Sequence, residues 1–302
     1  MKASKKVTGR TLLGYKSYID CYLTPFFKDL AFSDLNAITF DRFIAWARSQ
    51  KLKEKAISNT TINKILVPLK TICKDAAIEF GWGSKYDPFF GYNKLKEADP
   101  YEKISPCSPE VQQQIIANIP DHWKPYFSFA FCCGLRHGEQ IGIKPGDIDW
   151  GKAMLKIRRA ITLDEDGNCI EGTTKNRFSR RTIKLSPRML EILTAQKAIH
   201  DSLDSEYFFC SAEGKLISLA NLRNRVWKPA LDAANIPYRD MKQTRHSFAT
   251  TALSHSVNPL LVSKILGHRN TEMVTKVYAK YLEDSADSSH MEMLDKVFRE
   301  DK

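Results

Sequence analysis

The chain has 302 residues, 43% of them hydrophobic and 11% aromatic, enough to fill two ordinary cores. Its longest apolar run, Tyr126 to Leu135, is far shorter than the roughly 20 residues of a bilayer span, and no charged-then-apolar leader opens it, so a cytoplasmic protein with no membrane association is expected. The 46 basic and 35 acidic side chains leave +11, a surplus suited to a polyanionic partner but shared by many soluble basic proteins.

Three stretches near the N-terminus carry helical periodicity: Leu12, Tyr15, Ile19 and Tyr22; Phe40, Phe43, Ile44 and Ala47; and Ile62, Ile65, Leu66, Leu69, Ile72 and Phe80. They predict a small helical domain over residues 8–98. Thr39 and Asn59 or Thr60 are expected as N-caps, Gly81 as a C-cap, and Pro68 as a bend in the third helix. Residues 1–100 hold 17 basic and 10 acidic side chains. Lys64 and Lys70 on the third helix are candidate contacts to a polyanionic partner. Between Asp87 and Pro109 the prolines, glycine and lysines show no apolar period, which reads as linker, and the domain bounds place that linker at 99–108.

A second domain is expected over 109–302, mostly helical with one β interlude. The runs Met154 to Thr162, Asn168 to Thr174 and Arg181 to Leu185, with the turn Asp164-Glu165-Asp166-Gly167, fit a three-stranded antiparallel sheet. Helices then resume behind Ser218 and behind Asn258-Pro259, the latter closing at Gly267. Beyond Leu282 seven acids outnumber three bases, and Met291, Leu294, Val297 and Phe298 mark an amphipathic tail helix at about 284–302, suited to a protein surface rather than to phosphate. The seven cysteines and seven histidines show no metal-clip spacing, so neither a metal nor another cofactor is expected.

The chemistry is carried by basic residues in unusual places. Arg136 follows the apolar run and Gly134-Leu135, where a guanidinium needs an anionic partner, and Glu139 would share its helix face. These residues alone fit a structural Arg–Glu pair equally well. Lys175, Arg177, Arg180 and Arg181 charge a hairpin tip that suits a DNA groove or, as plainly, solvent. In Lys242-Gln243-Thr244-Arg245-His246 a helix begins whose buried stripe is Phe248, Ala249, Ala252 and Leu253, turning Arg245 inward. Leu266-Gly267-His268 places an imidazole at a helix end, and Val274, Val277, Tyr278 and Tyr281 stripe the helix after it. Singly, His268 reads as a satisfied buried group and Tyr278 as a core aromatic.

In this order the segments resemble the tyrosine recombinases, or phage integrase family, over nearly the whole chain. Gly134 to Glu139 is similar to the family's first box, Lys175 to its hairpin lysine, Lys242 to His246 to its second box, and Leu266-Gly267-His268 with Tyr278 to its third box and nucleophile. The resemblance implies a C-shaped clamp of a core-binding and a catalytic domain; many phage integrases precede these with a small arm-site domain, which with only a few basic residues before Leu12 is here absent or was removed. Arg136 and Arg245 would hold the scissile phosphate, His268 would add a donor, and Glu139 and His246 would support them. Tyr278 would form a 3′-phosphotyrosyl bond while Lys175 protonates the departing 5′-oxygen. The family usually has histidine where this chain has Lys242, which leaves proton transfer shared among Lys242, Lys175 and water. Tyr281 lies one turn beyond the nucleophile position. The implied partners are double-stranded DNA with specific recombination sites, a homotetramer on two duplexes, and accessory bending or directionality proteins. The rival readings are a Xer-like chromosome-dimer resolvase, a type IB topoisomerase and a non-catalytic DNA-binding module.

Overall fold

The computed structural model describes residues 8–52, 55–82, 87–99, 104–173, 180–268 and 274. The chain divides into two units: residues 1–103 with the 163–168 turn, and residues 104–162 with 169–302. The architecture is mainly helical with small antiparallel sheets.

In the first unit α1 (Gly9–Tyr18) continues through a π turn (Ile19–Leu23) into α2 (Thr24–Phe27), followed by α3 (Ala37–Ser49), the short strand pair β1 (Lys51–Leu52) and β2 (Lys55–Ala56), and α4 (Asn59–Glu79). Phe40, Phe43, Ile44 and Ala47 of α3 and Ile62, Ile65, Leu66 and Leu69 of α4 are buried together, as their spacing predicts. Both predicted N-caps lie a turn or less too late. Asn36 caps α3, its Oδ1 accepting from Thr39 N at 3.1 Å, and Ser58 caps α4, its Oγ accepting from Thr61 N at 3.3 Å. A helix starts where a side-chain oxygen can reach a free N–H, not at the first buried residue. α4 runs unbroken through Pro68 and ends at Phe80, which is exposed rather than buried, and Gly81 beyond it takes φ +66°.

Residues 87–97, expected as linker, are instead fastened to this unit. Phe89 stacks on Phe40 with centroids 4.4 Å apart. Asn63 both donates to the Leu95 carbonyl (2.9 Å) and accepts from Leu95 N (3.1 Å), and Asn59 donates to the Lys96 carbonyl (2.8 Å). The amides of α4 thus stand in for a neighbouring strand, satisfying a backbone that has no regular partner.

In the second unit α5 (Pro109–Ala117) is capped by Ser108, and α6 (Lys124–Cys133) carries Tyr126, Phe127 and Phe129 into the core, where Trp227 stacks on Phe127 at 5.1 Å. Then come α7 (His137–Ile141), β3 (Ile148–Asp149), β4 (Met154–Ile157), β5 (Arg159–Leu163), β6 (Cys169–Thr173), β7 (Arg181–Lys184), α8 (Pro187–Asp201), α9 (Leu219–Leu222), α10 (Lys228–Ala233), α11 (Gln243–Ser254) and α12 (Pro259–Leu266). The expected single sheet is two. β3, β4 and β7 form one, while β5 and β6 form a separate hairpin, because the run from Met154 breaks at Arg158 between β4 and β5. Ser218 and Asn258 cap their helices as expected. Residues 104–108, read as linker, are held down: Cys107 N donates to Ser247 Oγ (2.8 Å) and Ser105 N to Gln243 Oε1 (3.1 Å). The seven cysteines are free.

Candidate active site

The site grows from two helix ends. α6 terminates at Gly134, whose φ of +61° is left-handed and where a Cβ would lie 2.5 Å from the Phe248 ring, so only glycine fits. Leu135 then plugs into the core, and Arg136 becomes the N-cap position of α7. Glu139, on the first turn of α7, accepts from the Arg136 backbone N–H (3.3 Å) and pairs its Oε1 with the Arg136 guanidinium (2.7 Å). Glu139 is buried while the Arg136 side chain stays 35% exposed, so the ion pair orients a guanidinium whose outer face is open.

The second end is that of α12. Helix C-terminal carbonyls lack intrahelical donors and carry partial negative charge. Here they are met by three guanidinium groups: Arg181 Nε donates to the Ile265 carbonyl (2.6 Å), Arg245 to that of Leu266 (2.9 Å), and Arg136 to the same oxygen at 3.5 Å. Arg245 also donates to the Gly134 carbonyl (2.9 Å), tying the two helix ends to each other. Gly267 turns the chain with φ +68°, and a Cβ there would come within 2.8 Å of Arg181.

His268 follows this turn, its Nε2 2.7 Å from an Arg245 nitrogen. An arginine only donates, so Nε2 accepts and Nδ1 carries the proton. Burial, then Arg245, Arg136 and Arg181, push the His268 pKa down to about 4, which makes the ring a neutral donor at pH 7. Its buried Nδ1 has no hydrogen-bond partner among the described residues. Burial raises the Glu139 pKa, but Arg181 and Arg136 outweigh it and hold the carboxyl below its ordinary value.

Arg136 and Glu139, Arg245, and His268 are therefore brought together from three parts of the chain. Lys242 stands exposed at the start of α11, and His246 is half-buried beside Arg245, its pKa lowered to about 4 by burial, then by Arg245 and Lys242. Arg181 departs from its expected place on a basic DNA-facing tip. Its side chain is 5% exposed and pairs with Glu139 Oε2 at 3.0 Å. Strand alternation carries the signal for this: Arg181 shares the face of Ile183 and Leu185, which is the inward face of β7. Arg180 is exposed, as are Lys64 and Lys70 on α4, where Lys70 lies over the Phe89 ring. Lys175, Arg177, Tyr278, Tyr281 and the tail lie outside the described residues.

One residue was passed over in the sequence. His137 accepts from the Tyr126 hydroxyl (2.9 Å) and donates to the Met241 carbonyl (2.9 Å), joining α6, the first box and the residue before Lys242. Burial lowers its pKa, which keeps it neutral in that role. Its position inside the Arg136-to-Glu139 stretch gave no separate signal. Among the described residues no cluster of His, Cys, Asp or Glu could hold a metal, and no helix is long and apolar enough to cross a membrane.

The profile of the Phage integrase family matches residues 108–284, and that of the Phage integrase SAM-like domain matches residues 1–90. The chain is 29% identical to a "Tyrosine recombinase XerC-like" of Caldanaerobacter subterraneus subsp. tengcongensis over 76% of its own length and 64% of that protein. It is 27% identical to the prophage integrase IntR of Escherichia coli (66% of this chain, 53% of that one) and 23% identical to the ICEBs1 integrase of Bacillus subtilis (82% and 68%). The alignments thus span less than two thirds of the first two relatives. In fold the chain is similar to the Tn1549 transposon integrase in complex with a circular intermediate DNA (TM-score 0.76, 17% identity, 96% of this chain and 95% of that one). It is also similar to a lambda integrase dimer bound to a core site (TM-score 0.68, 16% identity, 91% and 73%). With more than half of its length matched by one family profile and the paired guanidinium groups at the expected boxes, the chain belongs to the phage integrase family, the tyrosine recombinases.

Proposed function

We propose that the chain is a site-specific DNA recombinase that integrates or excises a mobile element by cutting and rejoining strands through a 3′-phosphotyrosyl intermediate. The observation that carries this reading is the meeting of Arg136, Arg245 and His268 around the α12 terminus. A phosphodiester is anionic and repels nucleophiles, and two guanidinium groups answer that by donating to its non-bridging oxygens and stabilising the charge of a phosphorane-like transition state. The neutral His268 would supply one more donor without adding a further charge. Tyr278 is the nucleophile in this proposal. Its phenol, with an ordinary pKa near 10, is helped towards phenolate by the neighbouring positive charge. Lys175 protonates the departing 5′-oxygen, and Lys242, exposed at the start of α11, assists. The covalent bond conserves the phosphodiester energy, so a partner strand's 5′-hydroxyl can reverse the step.

The proposed assembly is a homotetramer on two duplexes carrying specific sites, with accessory bending or directionality proteins. Residues 8–98 would form the core-type DNA-binding domain, touching phosphates through Lys64 and Lys70, with 99–108 joining it to a catalytic domain of 109–302. Arg177 and Arg180 would extend the contact, and the 284–302 tail would meet protein. The relative named XerC-like favours a second reading, chromosome-dimer resolution. Recombination between element-end sites rather than at one chromosomal site separates the two.

The test incubates the chain with nicked suicide duplexes carrying candidate sites and looks for a covalent adduct. Wild type is expected to form it and Tyr278→Phe to bind DNA with the same salt sensitivity and form none, because Lys and Arg contacts dominate affinity. An adduct with Tyr278→Phe would sink the assignment of the nucleophile.

A further inference from the structure

Arg181 is a costly residue to bury. Its side chain is 5% exposed, at a position of β7 directly opposite Ile157, where a strand of a small sheet ordinarily places an apolar side chain. Two of its nitrogens are engaged by described residues. One nitrogen pairs with Glu139 Oε2 at 3.0 Å, the carboxylate whose other oxygen holds Arg136 at 2.7 Å. Another donates to the Ile265 carbonyl at 2.6 Å, two residues before the turn that delivers His268. Gly267 leaves it no room to spare, since a methyl group there would press on the guanidinium at 2.8 Å.

We propose that Arg181 is a positioning residue for strand cleavage, locking the Glu139 carboxylate behind Arg136 and the α12 terminus beneath His268, and that it makes no contact with DNA itself. The inference rests on the recombinase reading of the site. Without Arg181 the buried Glu139 keeps only Arg136, and the carboxylate is left to draw that guanidinium inward, away from a phosphate. The end of α12 loses the donor on the Ile265 carbonyl, and the turn carrying His268 is held by Arg245 and by the longer 3.5 Å contact of Arg136. Both shifts act on groups that must be placed within a fraction of an ångström, and a displacement of about 1 Å can cost on the order of 100-fold in rate. A single lysine cannot replace the arrangement, because one ammonium cannot present two planar, parallel donor directions to a carboxylate and a carbonyl.

The test compares wild type, Arg181→Met and Arg181→Lys on a suicide duplex that the wild type cleaves. Saturating DNA is used, and binding is titrated separately against salt. Arg181→Met is expected to bind within about 2-fold of wild type with an unchanged salt slope while cleaving bound DNA about 10- to 100-fold more slowly; Arg181→Lys is expected to recover folding and part of the rate. Combining Arg181→Met with Glu139→Gln should slow cleavage no further than the slower single variant, since the two residues act as a unit. Wild-type cleavage by Arg181→Met would overturn the proposal. So would weakened binding with a salt slope reduced by about one, the signature of a lost phosphate contact. Should Arg181→Met fail to fold, Arg181→Lys decides: slowed cleavage at an unchanged salt slope supports the proposal, and wild-type cleavage rejects it. A wild-type chain that forms no adduct on any duplex rejects the recombinase reading and this inference together, an outcome distinct from all of these.

Discussion

Two charge clusters in the second unit are built from the same residue types and differ in their balance. Around Asp147 the acids Asp147, Glu171 and Glu206 interleave with Lys144, Arg158 and Arg159: Arg159 bridges Asp147 and Glu171, and Lys144 reaches Glu171 (2.8 Å) and Glu206 (2.6 Å). Around Glu139 a single buried carboxylate faces Arg136 and Arg181, with Arg245 adjoining, and the remaining compensation comes from helix-end carbonyls. The first cluster neutralises itself and fixes the β5–β6 hairpin to the body of its unit. The second keeps an excess of positive charge that backbone dipoles only partly offset, and an excess of that kind is suited to an anion arriving from outside.

The contrast can be broken by substitution. The largest effect is expected from Asp147→Asn, which strips a buried carboxylate from Arg159: stability should fall by about 3–5 kcal/mol in denaturant titrations, with cleavage by the remaining folded protein unchanged. Arg245→Gln should do the reverse. Cleavage of saturating duplex should drop about 100- to 1,000-fold, as for loss of one transition-state donor, with a smaller change in stability. A cleavage loss in Asp147→Asn as large as in Arg245→Gln would erase the distinction between the clusters.

A pH series sharpens it further. His268 and His246 have folded pKa values of about 4, below the ordinary 6.5, so the unfolded chain takes up protons first as pH falls. Their contribution to stability is complete above about pH 6.5 and is lost between there and about pH 4. Replacing His268 with asparagine should flatten the stability profile in that window. The smallest effect belongs to Glu206→Gln. That carboxylate is 65% exposed, and losing its pair with Lys144 should change stability by less than about 1 kcal/mol in the same titration.

Much of this was legible before any fold was known. The apolar rows of α3 and α4, the caps at Ser218 and Asn258 and the glycine stop at Gly267 follow from local rules that act over three or four residues. Arg136, Arg245 and His268 could be singled out because each stands at a helix boundary next to buried residues, where a charge or imidazole is unexpected.

What the sequence determined by itself, then, is the set of elements and the boxes that carry the chemistry, since both are written in spacing and residue type along one strand of chain. Tertiary structure alone decided the rest. It fastened residues 87–97 onto α4 through Asn63 and Asn59, gave the central sheet the two-residue strand β3 instead of β6, and drew Arg181 inside to share Glu139 with Arg136. Those outcomes depend on which distant donor meets which acceptor once water is excluded. A buried amide, carboxylate or guanidinium must find a partner wherever the packing puts one, and no local pattern states where that will be.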